Sequence, residues 1–181
     1  RQGVGKGVDA IKHAADEAKK AGGFSMFFGT PQIKRVELPL SVPDGKTLRI
    51  ETRDGDVTVV GTDEPGQLII EATFRSYDEA ESKRLADAYT PVIEEGDQLV
   101  VFRQPDGPNV STNVTVRVPP GTPVELKLTS GDVVVEKTNA PVKVEGTSGD
   151  VRIGHARGAI QVVQRSGEVK VSDVEATILS I

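Results

Sequence analysis

Cysteine is absent from this sequence, aromatic residues are limited to five Phe and two Tyr, and no long hydrophobic run occurs. Without Cys there is no disulfide framework, no thiolate nucleophile and no Cys-ligated zinc. That absence fits the cytosol or a bacterial envelope and excludes the small disulfide-rich secreted classes. No stretch approaches the roughly 18 apolar residues of a membrane span, and no signal-peptide pattern is present. Because the chain begins on Arg1 and its last strand runs uncapped to Ile181, it is expected to be a piece of a longer one, with any signal or anchor outside it. The few aromatics offer no platform for stacking bases. The net charge of −5 is uneven: residues 1–46 carry eight Lys/Arg against five Asp/Glu, and the remainder carries −8. Nucleic-acid modules present a basic field on the folded domain, so no nucleic-acid partner is expected.

A repeat dominates what is there. Ser130-Gly131-Asp132-Val133, Ser148-Gly149-Asp150-Val151 and Ser166-Gly167-Glu168-Val169 recur with an 18-residue period. A half-step of nine runs inside this period, in the pairs Val124/Leu126, Val133/Val135, Val142/Val144, Val151/Ile153, Ile160/Val162, Val169/Val171 and Ile178/Ser180. Only Ser180 breaks the apolar comb. Each pair has the in-out-in form of a strand with one buried face, and turn formers such as Thr-Ser-Gly-Asp separate the pairs. No helix-length crossover fits between successive strands. Two topologies satisfy the spacing: a β-solenoid in which strand n pairs in parallel with strand n+2, and an antiparallel meander. The return of Ser-Gly-Asp/Glu at every second turn favours the solenoid, with about 18 residues per coil.

Upstream, residues 8–21 read as an Ala/Lys-rich helix stopped by Gly22-Gly23. Phe24, Met26, Phe27 and Phe28 follow, and are expected to plug the open end of the β core. Contact with a partner or a membrane surface is the alternative use of this segment, and the only route to a membrane. Residues 1–35 therefore form a helix and a capping or linker segment, and 36–181 the β domain. Strands are expected at 34–40, 47–52, 56–60, 67–74, 98–103, 112–118 and 123–128. Residues 77–89 have helical composition, with Ala80, Leu85 and Ala88 as apolar members, and read as a surface insertion. Asp54-Gly55-Asp56-Val57 resembles the later turns, but its offset of 76 from Ser130-Gly131-Asp132 is not a multiple of the period.

Catalytic patterns are missing. His13 and His155 stand in no nucleophile or metal motif, and no G-x-S-x-G or H-E-x-x-H occurs. Gly3-Val4-Gly5-Lys6-Gly7 lacks the Ser or Thr of a phosphate loop, and Gly45-Lys46-Thr47 lacks its first Gly. Asp132, Asp150 and Glu168 would stack on one solenoid corner and are the only metal candidates, for calcium. One acidic turn in each full period falls below the ligand density of calcium-binding β-rolls, so a turn-forming role comes first. The outward positions Val134, Arg152 and Lys170 on one face, and Glu125, Lys143, Gln161 and Leu179 on the other, form flat mixed surfaces suited to protein contact. Neither face shows the carboxylate pair of a glycosidase.

The Asp-Gly-Asp-Val-Thr-Val run at 54–59, the helical insertion and the later Ser-Gly-Asp/Glu-Val copies resemble the bacterial putative-adhesin domains, over roughly residues 36–181. These are β-strand-repeat domains of largely unknown function, related to auto-transporter-like adhesin heads. The resemblance implies an all-β fold, a right-handed parallel β-helix with one helical insertion, in a bacterial envelope or surface protein, some of them tied to envelope stress. It supplies no catalytic residue and no cofactor. The expected function is non-enzymatic binding or scaffolding through a protein partner or through self-association, with Ile181 at an open end that could template further pairing. Self-assembly into filaments or oligomers is the alternative, and a polysaccharide-acting β-helix enzyme or a cytoplasmic location are the lesser ones.

Overall fold

The computed structural model describes residues 29–107 and 109–180, with side chains to Glu175. The helix at 8–21, the cluster Phe24, Met26, Phe27 and Phe28, and Ile181 lie outside the described residues. The strands are β1 (Gln32–Pro39), β2 (Thr47–Asp54), β3 (Val57–Gly61), β4 (Gln67–Phe74), β5 (Ile93–Glu95), β6 (Leu99–Arg103), β7 (Val110–Val118), β8 (Val124–Ser130), β9 (Val133–Glu136), β10 (Val142–Ser148), β11 (Val151–Gly154), β12 (Arg157–Gln164), β13 (Val169–Ser172) and β14 (Glu175–Ser180). One helix, α1 (Glu79–Ala88), stands between β4 and β5.

The strands form two seven-stranded sheets, one ordered β1-β4-β7-β3-β9-β11-β13 and the other β5-β6-β2-β8-β10-β12-β14. From β8 onward the chain alternates between the sheets, so each strand pairs in parallel with the next strand but one. Val124, Val142 and Ile160 stand in register in one sheet, and Val133, Val151 and Val169 in the other. The antiparallel meander is therefore not the pairing of this region. The comb positions face inward: Val57, Val59, Val135, Val144 and Val162 are fully enclosed. Burying each Val side chain contributes roughly 1.5–3 kcal/mol.

An all-parallel stack is corrected on two counts. First, both sheets are mixed, because β1 pairs antiparallel with β4, β4 with β7, and β5 with β6. The connection from β3 to β4 spans only residues 62–66, too short for a parallel return, so the chain doubles back. Second, spatial order departs from chain order. The β6–β7 rung lies on one side of β2–β3, and β8–β9 lies on the other. Residues 62–123 leave the stack, add a rung behind it, and rejoin in front. This detour explains why the repeat period fails between Asp56 and Asp132 although the stack itself is unbroken.

The stretch expected as a surface insertion closes one end of the core. Asp78 caps α1, its side chain accepting from the Ala80 N–H at 2.9 Å. The helix packs on β1 and β4. Ser82 and Ala86 are its buried residues, Leu85 is half-buried, and Ala80 and Ala88 are exposed. The burial face is thus rotated from the one expected. Tyr89 meets Phe74 edge-on at 5.5 Å, and burial pushes its hydroxyl pKa up to about 12. At the opposite end, Val169 and Val171 of β13 are only half-buried, in register with Val151 and Ile153 at 1% exposure.

Candidate functional site

The turns that join the two sheets form one corner of the stack, and their chemistry repeats from rung to rung. Gly55, Gly131, Gly149 and Gly167 all have positive φ, between +112° and +130°. A Cβ on Gly149 would stand 2.1 Å from the Gly131 carbonyl oxygen, so glycine is required both for the backbone angle and for the close approach of rungs. Beside them runs a carboxylate ladder. Asp56 Oδ1 accepts from the Asp132 N–H at 2.8 Å, Asp132 Oδ1 from the Asp150 N–H at 2.8 Å, and Asp150 Oδ1 from the Glu168 N–H at 2.9 Å. Asn113 Oδ1 extends the ladder below Asp56 at 2.9 Å.

Asp132 and Asp150 therefore reach across rungs, where turn chemistry alone predicts a bond within their own turn. Among the described residues, no group of three or more His, Cys, Asp or Glu is arranged to hold a metal ion. Asp132→Ala removes the acceptor of the Asp150 N–H and should cost about 1.5–3 kcal/mol, the range for hydrogen bonds to charged groups. Asp132→Asn, which keeps an amide oxygen as Asn113 does, should recover most of that loss. Urea unfolding of the two variants checks the pair.

The residue before each Ser-Gly or Asp-Gly turn forms a second column. Thr52 pairs with Leu128, Asp54 with Ser130, and Gly146 with both Leu128 and Gln164. This register sets Arg53, Thr129, Thr147 and Arg165 in line, all four exposed. A groove of about 280 Å³ follows the Arg53 end, with Lys127, Thr129, Thr147 and Asp106 among its lining residues. Two glutamines brace the column ends. Gln104 is buried; its Oε1 accepts from the Arg53 N–H at 2.7 Å, and its Nε2 donates to the Val110 carbonyl at 2.8 Å. Gln164 Nε2 donates to the Gly149 carbonyl at 2.6 Å and the Ser166 carbonyl at 2.8 Å. The Arg53 guanidinium donates to the carbonyls of Pro105 and Gly107, which pins the loop that walls the groove. Sequence reasoning missed this column, although its signal was the residue one step before each repeated turn.

The sheet faces hold the other sequence candidates. Val134, Arg152 and Lys170 are side by side in register on one outer face. On the other, Glu125, Lys143 and Gln161 align as expected, but a register shift after Ile160 sets Ser180 opposite Gln161 in place of Leu179. That face is a charge checkerboard: Arg103, Glu51, Lys127 and Glu145 alternate across four strands, and Arg49, Glu125 and Lys143 alternate with opposite phase beside them. The ion pairs Arg49–Glu51 at 2.9 Å and Lys143–Glu145 at 3.1 Å join the two rows. Opposite charges on neighbouring strands favour this register over a slipped one.

His155, exposed and in no nucleophile or metal motif, bridges three rungs at the other corner. Its Nδ1 lies 2.9 Å from Glu136 Oε2, and its Nε2 lies 3.6 Å from Asp173 Oδ2. The hydrogen bond to Glu136 chiefly raises its pKa, with help from the charges of Glu136 and Asp173 and against that of Lys137. A raised folded value means the stabilisation is complete below the unfolded pKa of about 6.5 and fades as pH rises through the folded value. An NMR titration should place the imidazole midpoint above the free-histidine value, and Glu136→Gln should return it.

Comparison with known proteins adds the family. No curated protein matches the chain. Among solved structures it is similar to a "putative cell adhesion protein" from Clostridium sporogenes, at 13% identity over 83% of this chain and 98% of that one, with a TM-score of 0.36. It is also similar to a "putative lipid binding protein" from Parabacteroides distasonis, at 13% identity over 82% of this chain and 60% of that one, TM-score 0.47. A third is a "putative adhesin" from Parabacteroides merdae, at 8% identity over 83% and 96%, TM-score 0.34. The family model described as Toastrack DUF4097 matches residues 15–180. That match starts well before residue 36, where the resemblance read from the sequence begins, and spans the cap, the detour and every glycine corner. The chain is a member of the Toastrack DUF4097 family.

Proposed function

We propose that this chain is a non-enzymatic binding or scaffolding domain of a bacterial surface or envelope protein, a right-handed β-helix-like stack with an 18-residue coil. The fate of the corner carboxylates carries this reading. Asp56, Asp132 and Asp150 each commit an oxygen to the backbone of the next rung. A glycoside-cleaving site needs two carboxylates facing one substrate; these hold rungs together instead. The handedness rests on the strong right-handed preference of parallel crossovers within one sheet. The compartment rests on the resemblance to the adhesin domains.

Two measurements test the reading on the full chain. Antibody against the domain should label intact cells of the native host, and labelling only after lysis would refute the surface location. Incubation with polygalacturonate, alginate or hyaluronan should yield no ultraviolet-absorbing unsaturated uronide, and formation of one would make the domain a lyase. A second reading, self-association, is favoured by the half-buried Val169 and Val171 on the edge strand β13. Unpaired strand edges template further pairing. Light scattering over a concentration series would show growing mass for an assembler and constant mass for a docking domain.

A further inference from the structure

We infer that the corner column Arg53–Thr129–Thr147–Arg165, with the groove beside it, binds an acidic polysaccharide laid along the stack. This inference rests on the proposed surface-binding role and names its ligand class. Four strands at ~4.8 Å spacing carry the column over about 14 Å, with a cation at each end and two hydroxyls between. Arg53 directs its hydrogen bonds to the Pro105 and Gly107 carbonyls and makes no ion pair; Arg165 makes none either, among the described residues. Their charges are therefore left for an external anion, and the guanidinium fork suits a carboxylate. The free acid at the groove, Asp106, can accept sugar hydroxyls, as can Asp54, which already takes the Ser130 hydroxyl at 3.3 Å. Glu51 is engaged by Arg49 and Arg103.

Cations, hydroxyls and acceptors in one shallow track match a chain rich in hydroxyls that also bears carboxylates. A polyanion without hydroxyls would leave the threonines and the acceptors Asp54 and Asp106 without partners in the ligand. The site is held ready before any ligand arrives, since Gln104 fixes the backbone of Arg53 and Gln164 fixes the turn of Arg165. Such preorganisation reduces the ordering cost of binding.

Calorimetric titration of the full chain with oligogalacturonate tests this. Saturable binding is expected, weakened about tenfold by Arg165→Ala, in line with loss of one charge-assisted contact. Thr147→Val, which keeps shape but not the hydroxyl, should weaken it by a smaller factor. Neutral maltotriose should bind far more weakly, and polyglutamate should not compete. Lack of saturable binding, full competition by polyglutamate, or unchanged affinity in both variants would each overturn the proposal. Melting temperatures of the variants separate lost contacts from lost fold; should Arg165→Ala unfold, Thr147→Val decides. Cell labelling fails or succeeds independently: labelled cells without sugar binding remove this site and leave the surface role, and the converse removes the role and leaves the site.

Discussion

Gly149→Ala should lower the melting temperature by about 10 °C or more, while Gly45→Ala should lower it by about 3 °C, at the 2–4 °C per kcal/mol typical of this chain length. Both glycines have positive φ, +119° and +84°. Both substitutions therefore incur a backbone cost of order 1–3 kcal/mol. They differ in surroundings. A Cβ at Gly45 meets nothing within 4 Å, whereas one at Gly149 meets the Gly131 carbonyl oxygen at 2.1 Å. That neighbour is backbone, in the middle of a stack, and cannot turn aside as a side chain would. Relieving the clash means parting two rungs, which also lengthens the Asp132-to-Asp150 bond of the ladder. The difference between the two variants isolates the cost of rung separation from the cost of φ. Equal losses in a thermal melt would mean that the rungs do not approach as closely as the corner geometry requires.

The same corner shows how far sequence reasoning reaches. The nine-residue comb identifies the inward positions because a half-buried strand must alternate, and Val133, Val135, Val142, Val144, Val151, Ile153, Ile160 and Val162 are indeed buried. The same alternation sets β4 at its observed bounds. Pairing partners are harder. The antiparallel β1–β4–β7 unit has the same alternation as the parallel rungs, so local pattern cannot distinguish them. The three-residue strand β5 carries too little pattern to be noticed. The face of α1 is misread because Ala is equally at home on either side of a helix, and Ser82, buried against the sheets, has no apolar signature. The carboxylates are correctly located at turns, but local reasoning assigns their acceptor role within a turn, since a partner 18 or 76 residues away becomes near only once rungs stack. The Arg53–Thr129–Thr147–Arg165 column needs the same three-dimensional step.

Val135→Ala and Val171→Ala make the second large contrast, because these residues occupy one column, on either side of Ile153. The chemical deletion is identical. Val135 is fully enclosed, so its truncation removes buried methyl groups and leaves a cavity, for an expected loss of about 2–3 kcal/mol. Val171 is half-buried on the edge strand, and its truncation should cost under about 1 kcal/mol, since part of its surface meets water already. Equilibrium urea unfolding at low protein concentration measures both. A cost at Val171 equal to that at Val135 would show that the β13 end is covered in solution. Its concentration dependence then separates the causes. A second copy stabilises by mass action, so the Val171 penalty would grow with protein concentration, whereas a covering segment of the same chain would make it constant. The unequal result leaves the edge open at low protein concentration, where it can pair with a partner strand or with a second copy.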